Sequence, residues 1–333
     1  MNKLELEGAT VYVGDCIARL RELPSASAQM CVTSPPYYGL RDYGHDGQIG
    51  LEETPDAYIA KMVEVFREVR RVLSDDGTLW VNIGDSYART GGTDRKVSST
   101  AKVGSTRNTL KQMGDRTTKA PDGLKDKDLI GIPWMLAFAL RADGWYLRQD
   151  IIWHKPNPMP ESVRDRCTKA HEYVFLLSKS ERYFYDHEAV MEPVADSTIE
   201  RLNQPTLHQQ EGSTRVPGKT NGNMKAVGRT DKRNRRSVWS ITTRPYQGAH
   251  FAVFPTALVE PCILAGSRPG DVVLDPFNGS GTTGQVAIEH GRRYLGVELN
   301  PEYVELTRAR LERIVSDKAS ASALSPQSDL FAA

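Results

Sequence analysis

Two periods of apolar residues alternate along the chain. Short runs rich in apolar residues, Thr10 to Val13, Gln29 to Thr33, Thr78 to Ile83, Tyr146 to Trp153, Glu172 to Leu177, Asp271 to Leu274 and Tyr294 to Val297, predict strands, that of Asp271 to Leu274 buried. Between them lie stretches at helical spacing. Thr54-Pro55-Asp56 opens one, with Tyr58, Met62, Val65, Phe66, Val69, Val72 and Leu73 on a single face and Asp75-Asp76-Gly77 as its stop. Ile132 to Leu140, closed by Gly144, Thr282 to Glu289, ended by Gly291, and Asn300-Pro301 to about Ile314 predict three more helices. Strands alternating with helices imply a doubly wound, mostly parallel α/β sheet covered on both faces.

Two stretches break the rhythm. Residues 88–128 and 191–247 are polar, rich in Gly, Ser and Thr, and lack apolar periodicity. Each holds about ten Lys/Arg against about five Asp/Glu, whereas the whole chain of 333 residues carries a formal charge of only +1. Positive charge is therefore sorted into two inserts, the footprint expected of phosphate contact, although plain solvated loops have the same composition. Lys232, Arg233, Arg235 and Arg236 are the densest cluster. The sequence divides into an ordered α/β domain of residues 1–190 and 248–315 carrying the 88–128 insert, a second basic insert at 191–247, and a flexible Ala/Ser-rich tail at 316–333. With no long apolar run and no charged-then-apolar start, a cytoplasmic protein is expected. Cys16, Cys31, Cys167 and Cys262 are far apart, which reads as reduced thiols and no metal site.

Chemistry concentrates in two places. The first is DPFNGSGTTGQ, where Gly279, Gly281 and Gly284 follow a strand and open a helix, with Glu298 about twenty residues beyond. Glycines let backbone approach a ligand, and a carboxylate ending the next strand can accept from two ribose hydroxyls, so a nucleoside cofactor is expected. A dinucleotide fits poorly, because Asp275 would face its pyrophosphate. Only one strand and one helix follow the loop, so the neighbouring strand must come from elsewhere. Thr10 to Val13 is the natural candidate; the fold is then circularly permuted, and Asp15 lies within reach of the cofactor's base.

The second place is MCVTSPPYYGLRDYG at residues 30–44, where a buried strand runs straight into two prolines and two tyrosines. TSPPY (33–37), DPFNGSGTT (275–283), GVELNPEY (296–303) and GDCIARLRELP (14–24) together resemble the S-adenosylmethionine-dependent DNA amino-methyltransferases, which methylate exocyclic nitrogens of cytosine or adenine. The order found here, catalytic motif first and cofactor loop last, resembles their beta arrangement. The resemblance covers most of residues 4–315 and implies a permuted Rossmann-like methyltransferase fold with an inserted DNA-recognition region. It implies S-adenosylmethionine as cofactor, held by Asp15, Thr33, Phe254, Asp275, Phe277, Gly279, Ser280, Gly281, Thr282 and Glu298, with Phe254 in a helix over residues 250–259 that Pro261 limits. WHKPNPMP (153–160) and HEYVFLLSKS (171–180) resemble the family's later strand motifs; His154 and His171 read as ordinary hydrogen-bonded side chains.

Ser34, Pro35, Pro36 and Tyr37 then become the catalytic segment. An exocyclic amine delocalises its lone pair into the ring, so a site must offer acceptors that favour a more tetrahedral nitrogen. The Ser34 hydroxyl and the Pro35 carbonyl suit that task, and prolines stiffen the segment while removing competing N–H donors. Tyr37 can stack on a base rotated out of the duplex. The family's adenine enzymes more often begin this motif with Asp or Asn, so the resemblance favours cytosine N4 over adenine N6. The expected partner is double-stranded DNA in a bacterial or phage nucleoid, with no membrane and no metal; a homodimer and a cognate restriction endonuclease stay open. A protein glutamine methyltransferase, whose amide nitrogen poses the same chemical problem, and a non-catalytic DNA-binding regulator are the alternatives.

Overall fold

The computed structural model describes residues 3–40, 44–45, 47–88, 123–202, 232–243 and 254–323. In chain order, β1 (Lys3–Leu6), β2 (Ala9–Val13), α1 (Cys16–Glu22), β3 (Ala28–Thr33), α2 (Pro55–Val72) and β4 (Leu73–Ile83) lead to α3 (Ile132–Ala142), β5 (Tyr146–His154) and β6 (His171–Ser178). β7 (Glu192–Pro193), α4 (Asp196–Leu202), β8 (Lys232–Arg233) and β9 (Val238–Ser240) follow. α5 (Thr256–Gly266), β10 (Val272–Asp275), α6 (Thr282–Glu289), β11 (Arg293–Glu298) and α7 (Pro301–Ala323) complete the order.

Nine strands form one sheet in the order β1-β2-β11-β10-β3-β4-β6-β5-β9, and β7-β8 form a separate two-stranded ribbon. β11 runs parallel to β2, with Glu298 opposite Val13, and β10 runs parallel to β3, with Leu274 opposite Cys31. The permuted arrangement expected from the sequence is therefore present: β2 and β3 are consecutive in the chain yet are separated in the sheet by the late strands β11 and β10. Antiparallel β1 and β6 make the sheet mixed. Apolar side chains of α1, α2 and α3 cover one face, among them Leu20, Phe66 and Leu136; Val259, Ala287 and Leu311 of α5, α6 and α7 cover the other.

Three boundaries differ from expectation. β4 starts at Leu73, directly off α2, because Leu73 pairs with Ala28 before the register jumps to Thr78 opposite Met30; Asp75-Asp76-Gly77 is an irregularity inside the strand and not a break before it. α5 begins at Thr256 and passes through Pro261, whose missing N–H costs one helical bond. Burial of Leu258, Val259, Cys262 and Ile263 between sheet and α6 outweighs that local loss. α7 continues to Ala323, so residues 316–323, assigned to the flexible tail, are helical. Residues 324–333 and most of the two basic inserts (89–122, 203–231 and 244–253) lie outside the described residues. All four cysteines are free, Cys167 being exposed, and no His/Cys/Asp/Glu group with metal-binding geometry occurs among the described residues. None of the described helices is long and apolar enough to cross a membrane.

Candidate active site

The carboxyl ends of β2, β11, β10, β3 and β4 converge on a cavity of about 700 Å3. This is where a parallel sheet leaves room for ligands. Its lining falls into two groups by strand: Gly14, Asp15, Phe254, Phe277, Ser280, Thr282 and Glu298 on the β2–β11–β10 side, and Ser34, Pro35, Pro36, Tyr37, Asn82, Lys155 and Glu172 on the β3–β4–β6–β5 side.

On the first side, Glu298 ends β11 and is held by two backbone donors, Gly279 N to Oε2 at 2.7 Å and Asn300 N to Oε1 at 2.9 Å. Each oxygen keeps a lone pair for a further donor. Burial raises its pKa to about 7, against the pull of those N–H groups. Gly281 sits at φ 77° and a Cβ there would stand 2.7 Å from Thr307; Gly284 would meet the Tyr294 ring at 2.7 Å. The loop therefore needs glycine for backbone conformation at one position and close packing at the other. Asp15 accepts from Ala18 N at 2.8 Å as the cap of α1, and Thr282 accepts from Arg310 at 2.6 Å.

Asp275 and Thr33 do not line the cavity. Asp275 is 1% exposed and accepts from the hydroxyls of Thr33 (2.6 Å) and Thr283 (2.8 Å) and from Phe277 N (3.0 Å). Burial lifts its pKa to about 6 despite these three donors. The pair thus lies beneath the glycine loop and ties it to the end of β3. Ser280 is the opposite case: buried and in the cavity wall, its hydroxyl has no partner among the described residues. A buried hydroxyl without a partner is costly. An amino-acid-bearing nucleoside would supply one, and the remaining lone pairs of Glu298 could accept from hydroxyls of the same molecule.

On the second side, Tyr58 donates to the Pro36 carbonyl at 2.8 Å, fixing the proline pair from the buried face of α2. The Tyr37 ring packs against Gly84, where a Cβ would stand 2.8 Å from it. Its hydroxyl is turned inward, donating to Glu172 Oε2 at 2.7 Å, with Asn82 Oδ1 at 3.3 Å. Burial first, then the Glu172 charge, push the Tyr37 pKa well up, so the phenol stays protonated. Asn82 Nδ2 also donates to Glu172 Oε2 at 3.2 Å; Lys155 Nζ bonds the other oxygen while standing 4.2 Å from the centre of the Trp153 ring.

Asn82, Lys155 and Glu172 were not singled out from the sequence, although WHKPNPMP and HEYVFLLSKS contain two of them. The antiparallel register of β5 and β6 explains the omission. His154 lies opposite His171, and those histidines turn to Ser240 (Nδ1 to Oγ, 3.0 Å) and the edge of Tyr173; the next residues along, Lys155 and Glu172, enter the cavity.

The four basic residues lie on and after the β7–β8 ribbon. Arg233 Nε donates to Glu192 at 2.9 Å, and the Arg235 guanidinium lies 4.7 Å from the Trp239 ring centre. Lys232 and Arg236 are exposed, Arg236 with Glu192 at 4.0 Å. From this cluster β9 adds to the sheet edge beside β5. Thr243 and Asn157, both in the cavity wall, then exchange two hydrogen bonds, Thr243 N to Oδ1 at 3.0 Å and Nδ2 to the Thr243 carbonyl at 3.1 Å. The basic segment is thus joined to the rim of the cavity.

Comparison with known proteins agrees with this geometry. The type II methyltransferase M.Cfr9I of Citrobacter freundii is 51% identical over 309 residues, spanning 93% of this chain and 89% of that protein. M.SmaI of Serratia marcescens, also a type II methyltransferase, is 49% identical over 308 residues, 92% of each. A putative DNA modification methylase of Thermus thermophilus, TTHA0409, solved with S-adenosyl-L-methionine, superposes with a TM-score of 0.54 at 26% identity over 91% of this chain and 93% of that one. PvuII DNA methyltransferase, described as cytosine-N4-specific, shares the fold, with a TM-score of 0.59 at 20% identity, 91% of this chain and 86% of that one being covered. The DNA methylase family N6_N4_Mtase matches residues 28–309. The glycine loop, Glu298 and the Ser-Pro-Pro-Tyr segment line one cavity, and the chain belongs to this family of S-adenosylmethionine-dependent N4/N6 amino-methyltransferases.

Proposed function

We propose that the protein methylates the N4 amino group of a cytosine flipped out of duplex DNA, with S-adenosylmethionine as methyl donor. The observation that carries the choice of base is Ser34: the first acceptor offered to the amine is a neutral hydroxyl and not a carboxylate or amide. Ser34 and the Pro35 carbonyl would hold the two amino hydrogens while Tyr37 offers its ring to the base. Glu298 would accept the ribose hydroxyls, Asp15 the adenine amino group, and Ser280 would find its missing partner on the methionine end, with Phe254, Phe277 and Thr282 around it. Asp275 and Thr33 support the loop from below.

Recognition of DNA is assigned to residues 191–247, with Lys232 and Arg236 the exposed cations of the described portion and Arg233 and Arg235 committed to Glu192 and Trp239. The type II designation of the relatives supports a cognate restriction endonuclease recognising the same site. Incubation with duplex DNA and methyl-labelled cofactor, followed by digestion to nucleosides and mass spectrometry, should yield N4-methyldeoxycytidine. N6-methyldeoxyadenosine would reverse the choice of base, and unlabelled DNA would remove the reading altogether.

A further inference from the structure

Stacking on a flipped base asks more of a tyrosine than a place in the cavity wall. The ring must already stand at one angle, because ordering it only when the base arrives cancels part of what the contact contributes. Two torsions set that angle. The phenolic oxygen lies on the axis of χ2, so a bond made there restrains χ1, and the plane of the ring is left to whatever flanks it.

Both restraints are present at Tyr37. Its hydroxyl donates to Glu172 Oε2 at 2.7 Å, with Asn82 Oδ1 at 3.3 Å as a second acceptor. Gly84 flanks the ring edge so closely that a Cβ there would stand 2.8 Å from Cε2 and 3.3 Å from Cδ2. Glu172 is itself immobilised. Oε2 also accepts from Asn82 Nδ2 at 3.2 Å, Oε1 accepts from Lys155 Nζ, and the Glu172 and Lys155 side chains are only 16% and 19% exposed. Asn82 is buried and spends its other amide hydrogen on the Tyr173 carbonyl at 3.1 Å, which keeps its oxygen toward the phenol. Of the three carboxylates in the cavity lining, Asp15 caps α1 and Glu298 holds the glycine loop; Glu172 alone bonds Tyr37.

We infer that Glu172 is the positioning residue for Tyr37: its carboxylate, fixed by Asn82 and Lys155, anchors the hydroxyl and so presets the ring on which the flipped base stacks. Glu172 touches neither base nor cofactor in this role and acts only through the tyrosine. β6 thereby orients a side chain carried by the segment after β3, two strands away in the sheet.

The inference rests on the amino-methyltransferase reading. Its test uses duplex DNA containing the site found methylated by the wild type, with single-turnover rate and cofactor affinity measured for Tyr37→Phe, Glu172→Ala and Glu172→Gln. Tyr37→Phe keeps the ring and removes only the anchored hydroxyl. It and Glu172→Ala should each slow methylation roughly 10-fold, within what one base–aromatic stack supplies, with cofactor binding within a few-fold of wild type. The double variant should lose no more than the worse single one. Glu172→Gln keeps a carbonyl acceptor and should retain more of the rate than Glu172→Ala; equal losses would reduce Glu172 to a partner of Lys155 and overturn the inference. The same duplex with pyrrolocytosine at the target position, or 2-aminopurine if adenine is the base methylated, reads the ring itself, since stacking quenches either fluorophore. Emission in the complex should be higher for Tyr37→Phe and Glu172→Ala than for wild type. Full rate in Tyr37→Phe overturns the inference, as does a slower rate with unchanged emission, which would give the hydroxyl a part in the chemistry instead. Should Glu172→Ala fail to fold, rate and emission of Tyr37→Phe decide. A wild type that methylates no DNA would sink the proposed function itself.

Discussion

Burial and chemistry oppose each other at Glu298. Glu298 is 9% exposed, and its pKa stands near 7, against an ordinary value of 4.5. A folded-state pKa raised above the unfolded one means that the native protein binds the extra proton, so this stabilisation is complete below about pH 4.5 and is lost as pH rises through about 7. The displacement corresponds to about 3 kcal/mol. Unfolding free energy of the ligand-free protein should therefore decline between pH 5 and 7, a slope that weakens in Glu298→Gln. Cofactor affinity should move the other way, tightening as Glu298 ionises, since the anion is the better acceptor for ribose hydroxyls; calorimetric titration at pH 6 and 8 reads this directly. If Ser34 accepts from the reacting amine as proposed, Ser34→Ala should lower the methylation rate about 100-fold while cofactor binding stays intact. Equal rates in Ser34→Ala and wild type would exclude the hydroxyl from the reaction.

Elements were largely legible because strand and helix periods are well separated here. The face of α2 carrying Tyr58, Met62, Val65, Phe66, Val69 and Val72 is buried as its spacing requires, and Thr54 caps the helix by accepting from Ala57 N at 3.1 Å. Phe66→Ala in that face should cost about 3–5 kcal/mol, seen as a lowered midpoint in denaturant. Gly281→Ala should be harmful for a different reason. It places a methyl against Thr307 at a left-handed φ, so cofactor binding should weaken together with stability. What local spacing could not reveal was set by partners distant in sequence. The four-residue β1 is stabilised by pairing with β2, the early start of β4 by Ala28, and the passage of α5 through Pro261 by burial on both sides. Glu172 and Lys155 escaped notice for the same reason: which of two adjacent polar residues enters the cavity is decided by strand register, which composition does not encode.

For the whole molecule, near-neutral net charge conceals a division of labour. The formal charge of +1 combines basic inserts with an acidic remainder, so attraction to DNA should be local and strongly screened. Affinity for duplex DNA should fall steeply between about 50 and 200 mM salt. Replacing Lys232 and Arg236 together by Ala should weaken binding and reduce the slope of log affinity against log salt by about 2, whereas Arg233→Ala should act mainly on the β7–β8 ribbon through Glu192. A slope unchanged in the double variant would place phosphate contact elsewhere. The pairing of β11 with β2 was legible at this scale from the order of the motifs, whereas the pairing of β10 with β3 was not, since it joins segments distant in sequence that no local spacing connects.

That adjacency also has a consequence for synthesis. β2 and β3 are made early, but the two strands that belong between them come last, and the Thr33–Asp275 hydrogen bond joins residues 242 positions apart. A growing polypeptide must carry a slot two strands wide, bordered by unsatisfied edges, until β10 and β11 emerge. At roughly 5–20 residues per second that interval lasts on the order of ten seconds or more. Ribosome-bound fragments ending before residue 271 should therefore be catalytically silent and prone to self-association, and enzyme activity should appear abruptly once the closing strands leave the exit tunnel.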